Sequence, residues 1–355
     1  MKRGLALTLT VAMLGSLLAG CGSGNGGGGS APAAAPTAAA EASGEVEEVS
    51  TPDKILKFTD QNSEDSPAGM WEQKFADLVK EYTKGHIQVD LYFNNTLCGY
   101  DIQPLQAGIC DFIQYVPSSA GDLDSRLGAF DAPYIYRDAD HRLAVFDPFN
   151  SEPLKVINEA LEDDGVMLLS SFNSGYRQIT CNFPIKNLSD MKGAKIRVVP
   201  SDLYQQLFTA FGAAATPMAF SEVATALITN VIDGQENPYS VIVTNALYEV
   251  QKYCMETNHL PTNHGLWMNR NTYEGLTPDQ QQAVLQAAYD ASAYMDEYIL
   301  GKVEEYKKIC EDNGMEIIDE SSGLDMAAFK EAAESVYDYF SDDWEEMPDL
   351  IRAVK

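Results

Sequence analysis

The chain has 355 residues, 45% hydrophobic and 22% charged, an ordinary balance for a globular protein. Its 24 lysines and arginines face 53 aspartates and glutamates, for a formal charge of −29. That field repels nucleic acid and anionic lipid, so neither is expected as a partner of the folded body, and an anionic ligand would need a local cluster of cations.

Lys2 and Arg3 precede an apolar run over residues 5–18, too short for the roughly 20 residues of a membrane span and shaped like a signal peptide. The run ends in Leu18-Ala19-Gly20-Cys21, which resembles the lipobox of bacterial lipoproteins. Residues 1–20 are therefore expected to be a leader, and Cys21 the lipidated first residue. Residues 21–52 are mostly Gly, Ser, Ala, Pro and Thr and then acidic, with too little apolar surface to offset the entropy of ordering. They predict a flexible leash. Acyl chains contribute about 0.8 kcal/mol per buried methylene, so several of them give a stable anchor without a span. The body is expected on the extracytoplasmic face of the membrane, at the cell surface or in a periplasm, attached through lipid alone.

The body exceeds the usual size of one core, and two lobes are expected. Alternating apolar residues predict strands at 55–59, 87–93, 111–116, 166–172, 178–183, 195–199 and 231–235, with helical patterns between most of them, a rhythm of α/β architecture. Ser66-Pro67 marks an N-cap and first-turn proline; Trp71, Phe75, Leu78, Val79 and Tyr82 then share one face before Gly85. Thr277 to Gln280 has the capping-box pattern, and helical spacing continues to about Asp312. Such a helix would be roughly 50 Å long, enough to lie over both lobes. The alternative is two helices broken near Gly301, given what glycine costs a helix.

The five cysteines after Cys21 (Cys98, Cys110, Cys181, Cys254 and Cys310) include no close C-x-x-C pair, which argues against zinc; an odd number leaves at least one free thiol even if disulfides form. No nucleophile elbow, zinc-protease helix, phosphate loop or dinucleotide fingerprint is present outside the leash, and no motif surrounds His86, His141, His259 or His264. No catalysis, cofactor or metal is expected.

Two segments set polar residues in apolar surroundings: Gly175-Tyr176-Arg177-Gln178 and Lys195-Ile196-Arg197-Val198-Val199-Pro200. Ligands of open α/β sheets bind off the strand ends, so the Arg197 guanidinium would face a crevice. Equally, it could pair with a core carboxylate, and spacing alone leaves the two readings even.

A longer pattern bears on that choice. Thr216-Pro217-Met218-Ala219-Phe220-Ser221-Glu222, then Val231-Ile232-Asp233-Gly234-Gln235-Glu236-Asn237-Pro238, then Tyr248-Glu249-Val250-Gln251-Lys252-Tyr253 strongly resembles the solute-binding proteins of TRAP (tripartite ATP-independent periplasmic) transporters, of the DctP type. The likeness runs more loosely from about Lys54 to Tyr337. It implies a two-lobed, periplasmic-binding-protein-like clamshell with a long helix spanning both lobes: 53–174 with 263–302 as lobe I, and 175–262 with 303–355 as lobe II. It implies that Arg197 grips a ligand carboxylate, that Arg177 and Asn237 assist, and that Phe220 walls the pocket. For Asn237 the alternative is a helix-entry turn without ligand contact. From the other lobe, Gln61 and Tyr134 are candidates. The implied partners are a small organic acid and the TRAP membrane permease subunits, driven by an ion gradient. Val116 stands where sugar-acid binders of the family carry an acidic residue, which disfavours a sialic-acid-like ligand and favours a compact mono- or dicarboxylate. An ATP-driven importer's binding protein or a ligand-presenting sensor would share the clamshell.

Overall fold

The computed structural model describes residues 47–355; the leader, Cys21 and most of the leash lie outside the described residues. Eleven strands follow one another among these: β1 (Lys54–Thr59), β2 (Ile87–Tyr92), β3 (Phe112–Tyr115), β4 (Val166–Asn173), β5 (Gln178–Cys181), β6 (Lys195–Val198), β7 (Ala214–Pro217), β8 (Gly234–Asn237), β9 (Tyr253–Met255), β10 (Asn263–Asn269) and β11 (Glu316–Ile318). They form two sheets, ordered β2-β1-β3-β10-β4 and β11-β9-β5-β8-β6-β7. The two sheets are the cores of two lobes, and the molecule is an α/β clamshell.

In the first lobe β1 pairs in parallel with β2 and β3, while β10 returns antiparallel between β3 and β4. The helix Pro67–Tyr82 starts as its sequence directs: the Ser66 side chain accepts from Gly69 N, and Pro67 needs no donor in the first turn. It buries Trp71, Phe75, Leu78 and Val79 against Leu56, Phe58 and Phe112. In the second lobe β5 pairs antiparallel with β8 and β9, and β6 lies parallel between β7 and β8. Gly234 is required there, because a Cβ would stand 2.3 Å from the Thr180 carbonyl oxygen on β5.

The expected strand at 231–235 is displaced to β8. Asn230 takes a left-handed turn (φ 58°) and leaves Val231 exposed, so pairing begins only at Gly234. Four strands escaped the sequence reading, β7, β9, β10 and β11; three of them span only three or four residues.

The chain passes between the lobes after β4, again before β10, and along the helix Pro278–Asp312. That helix is continuous through Gly301. The Thr277 side chain accepts from Gln280 N, and the Gln280 side chain accepts in turn from Thr277 N, closing the capping box. Ala287, Ala291 and Met295 enter the first-lobe core; Cys310 joins Val223, Ile242 and Cys254 in a separate core of the second. The helix packs on Pro67–Tyr82 and β4, and farther along on Tyr239–Thr244 and β11.

The last residues depart from the expected assignment of 303–355 to lobe II. The helix Met326–Tyr339 does pack on Asp202–Ala210, but Ser341–Trp344 and Met347–Ala353 lie on elements of the first lobe, Ser125–Asp131 and Glu152–Ala160. Trp344 seats its indole where a side chain on Gly128 would collide, and Arg137 donates to the carbonyls of Arg352 (2.9 Å) and Val354 (2.7 Å). Trp344, Met347 and Ile351 are buried in one core cluster with Leu127 and Phe130, and that apolar burial holds the tail on the first lobe. All five cysteines from Cys98 onward are free thiols, four of them buried. Among the described residues no helix is long and apolar enough to cross a membrane.

Candidate functional site

The arginines expected at the site emerge from the second sheet with opposite surroundings. Arg177 precedes β5 and is buried. Its Nε and Nη2 grip the Glu236 carboxylate, and Nη2 also donates to Glu236 O (2.9 Å) and Asn237 Oδ1 (3.0 Å). The geometry is the bidentate fork that guanidinium and carboxylate share. Burial opposes the charge on Arg177, but the Glu236 carboxylate outweighs it and lifts the pKa above the usual arginine value. Burial likewise pushes Glu236 up, yet Arg177 and His259 hold its carboxyl below the ordinary range. His259, buried with Nδ1 against Thr257 Oγ1 (2.8 Å) and Nε2 3.3 Å from Glu236, has its pKa lowered by burial.

Arg197, on β6, is buried as well, but no carboxylate pairs with it. Its Nε donates to Met218 O (2.9 Å), and Nη1 and Nη2 have no acceptor among the described residues. Burial lowers its pKa, with Glu236 opposing and Arg177 adding to the shift. Its guanidinium carbon stands 5.7 Å from the centroid of the Phe220 ring, which is 40% exposed at the start of helix Phe220–Ile228. The even choice left by spacing, ligand or core carboxylate, therefore divides between the two arginines: Arg177 has the core carboxylate and Arg197 has none.

Asn237 is buried in β8, paired in register with Gln178. Its Oδ1 accepts from Arg177 and its Nδ2 donates to Gln235 Oε1; Gln235 Nε2 then donates to Thr180 Oγ1 (2.8 Å), which donates to Gln251 Oε1 (3.0 Å). This ladder lets a polar strand sit in a core with its groups satisfied. Arg177, Arg197, Asn237 and Phe220 are thus brought to one corner of the second lobe. Gln61 and Tyr134 are not tied to it: Gln61 is exposed just beyond β1, and Tyr134 packs under Lys330, its buried hydroxyl without a partner among the described residues.

Sequence reasoning missed Glu236, His259 and Tyr204. Tyr204, whose pKa is pushed up to about 12 by burial, places its ring 5.3 Å from the Arg177 guanidinium. Glu236 stood in a quoted motif, but nothing local marks which side chain it meets 59 positions away.

A cavity of about 260 Å³ lies elsewhere, on the hinge side between the long helix and the crossings, lined by Arg142, Asn173, Tyr239, Glu256, Asp296 and Lys307 among others. Its cations are already matched: Arg142 donates to Asp296 (2.7 and 2.9 Å), and Lys307 pairs with Glu256 at 2.9 Å. An incoming carboxylate finds no free charge there, and Arg197 does not line it.

Two α/β lobes joined by crossing segments, with a buried guanidinium that no carboxylate neutralises, define a solute-binding protein of the clamshell class. A family model described as bacterial extracellular solute-binding protein, family 7 (DctP), matches residues 58–343, and the chain belongs to that family, the solute-binding proteins of TRAP transporters. It is 31% identical over 306 residues to the 2,3-diketo-L-gulonate-binding periplasmic protein YiaO of Escherichia coli, covering 84% of this chain and 90% of that one. It is 29% identical to the C4-dicarboxylate-binding periplasmic protein DctP of Rhodobacter capsulatus, over 80% and 85% of the two chains. Among solved structures, a TRAP solute-binding protein of Roseobacter denitrificans with bound L-galactonate superposes with a TM-score of 0.69 at 29% identity, covering 86% of this chain and 99% of that one.

Proposed function

We propose that this protein captures a small organic carboxylate outside the cytoplasmic membrane and delivers it to a TRAP-type permease, held nearby by a lipid on Cys21. The observation that carries this reading is the bonding of Arg197, a buried guanidinium whose two terminal nitrogens have no acceptor among the described residues. A planar carboxylate matches that pair of donors, and Phe220 would wall the bound acid. Arg177 plays a different part: with Glu236 and Asn237 it fixes the corner beside the ligand. Charge-assisted hydrogen bonds of roughly 1.5–3 kcal/mol each would supply much of the ~8 kcal/mol of micromolar binding. Closure of the lobes over the ligand follows from contacts made better in the closed state. The relatives point the same way, since their named ligands are diketogulonate, C4-dicarboxylates and galactonate.

The test is a thermal-shift screen of organic acids on the protein and on Arg197→Ala. At least one carboxylate is expected to raise the melting temperature of the wild type and not of the variant. An equal response from both would place the ligand elsewhere.

A further inference from the structure

The cavity on the hinge side touches every segment that joins the lobes. Asn173 and Tyr176 line it from the first crossing, Glu256 and Asn258 from the second, and the long helix forms its remaining wall. Ile299, Val303 and Tyr306 recur at helical spacing and share the helix face that lines it. Beside them Leu300 is 53% exposed, an apolar side chain left open to water. The volume of about 260 Å³ compares with the roughly 150 Å³ that encloses a benzene ring, so a substituted ring has room.

The polar groups left over in this cavity are donors, and the backbone fixes them so. Asn173 is 8% exposed, and its Oδ1 accepts from Gly175 N (3.1 Å) and Thr262 N (2.9 Å). A backbone N–H can only donate, so that end of the amide is the oxygen, and Nδ2 is left with no acceptor among the described residues. The second crossing repeats the pattern. Asn258 N donates to Gln178 Oε1 (3.0 Å), which makes Gln178 Nε2 the donor to Asn258 Oδ1 (2.6 Å) and leaves Asn258 Nδ2 without an acceptor among the described residues. The Tyr176 hydroxyl is also without a hydrogen-bond partner among the described residues.

The charges, by contrast, are taken. Asp296 receives Arg142 and Asn173 N (2.8 Å), and Glu256 receives Lys307 and the Tyr239 hydroxyl (2.8 Å). Glu304 adds a further carboxylate, its side chain 83% exposed and 3.8 Å from Lys307. An entering anion meets no free cation, and a cation meets amide N–H groups. What fits is a neutral molecule with carbonyl oxygens for the amides and an apolar body for the helix face, the usual make-up of a small-molecule site. Water would serve the amides but leave that face wet.

We propose that the hinge cavity is a second binding site, separate from the one at Arg197, for a neutral cyclic amide with an apolar side group. Its carbonyl oxygens accept from Nδ2 of Asn173 and Asn258 and from the Tyr176 hydroxyl, and its apolar part covers Ile299, Val303 and Tyr306. An occupant held by both crossings and the long helix ties together the segments that connect the lobes.

Calorimetric titration of the full chain in detergent micelles, with protein-free micelles as the blank, tests this with the cyclic dipeptides cyclo-Leu-Pro, cyclo-Phe-Pro and cyclo-Gly-Phe and with their linear forms. The linear forms carry the same bodies but have charged ends, which are costly to bury unpaired. At least one ring is expected to bind one-to-one, about tenfold or more tighter than its linear form. Tyr176→Phe and Asn258→Asp should each weaken that ring about two- to tenfold, the worth of one hydrogen bond. Both variants keep the hydrogen bonds of the fold: the tyrosine loses an unpartnered oxygen, and aspartate retains Oδ1 and tolerates the left-handed turn at 258 (φ 45°). Arg197→Ala should bind the ring as the wild type does. If no ring gives heat above the blank, the amides hold water alone and the inference is overturned. A linear form that binds as tightly, variants that bind equally well, or loss of binding in Arg197→Ala, which would place the ring in the cleft, would each overturn it too.

Discussion

Arg177, just before β5, and Arg197, on β6, stand on either side of β8 in the same sheet, both buried, and they differ in what the protein supplies to each. Arg177 receives a carboxylate, a carbonyl and an amide oxygen; Arg197 receives one carbonyl. A buried charge that the fold neutralises serves the fold, and on the proposed reading one that it leaves unpaired is left for a ligand. The contrast predicts that substitutions at the two positions separate stability from binding.

The largest effect is expected at Arg177. Arg177→Met strands the Glu236 carboxylate in the core, and breaking a buried pair from one side costs about 3–5 kcal/mol. Urea denaturation should register that loss, and a second change, Glu236→Leu, should recover most of it. Arg197→Ala should cost less than about 1 kcal/mol of intrinsic stability, because it breaks a single hydrogen bond and relieves an uncompensated buried charge. If Arg197→Ala proves the more destabilising of the two, the division of roles is wrong.

A smaller effect sharpens the Arg177 side of the comparison. The depressed pKa of His259 keeps it neutral when folded, whereas the unfolded chain takes up a proton near the ordinary value of 6.5. Its contribution is therefore present above about pH 6.5 and is lost as pH falls toward the lowered folded value. His259→Asn should flatten the decline in melting temperature between pH 7 and pH 5. An unchanged slope would remove His259 from the corner's electrostatics.

The smallest effect concerns the strut that joins the lobes. A Cβ on Gly301 would meet nothing within 4 Å, and the residue sits inside an unbroken helix. Gly301→Ala should thus stabilise by roughly 0.5–1 kcal/mol. Destabilisation would mean that the helix needs a bend there.

Much of this fold was legible because its signals are local. The Ser66-Pro67 start and the Thr277 capping box are read within four residues, and both helices begin where those residues direct. β8 was misplaced because its own residues, Gly234 to Asn237, are polar and are buried through the amide ladder to Thr180 and Gln251, which apolar alternation does not register. The return of the tail to the first lobe depends on burial of Trp344, Met347 and Ile351 with Leu127 and Phe130, partners that no local pattern names. At the site, the motifs located Arg177, Arg197, Asn237 and Phe220, yet only folding told the arginines apart, since Glu236 lies 39 residues from one and 59 from the other.

A crystal structure of the protein with the carboxylate that best stabilises it tests the central claim most directly. The expected complex has the carboxylate oxygens about 2.7–2.9 Å from Nη1 and Nη2 of Arg197, with the Arg177–Glu236 pair intact. A ligand that displaces Glu236 from Arg177, or that occupies the hinge-side cavity and leaves Arg197 untouched, would contradict it.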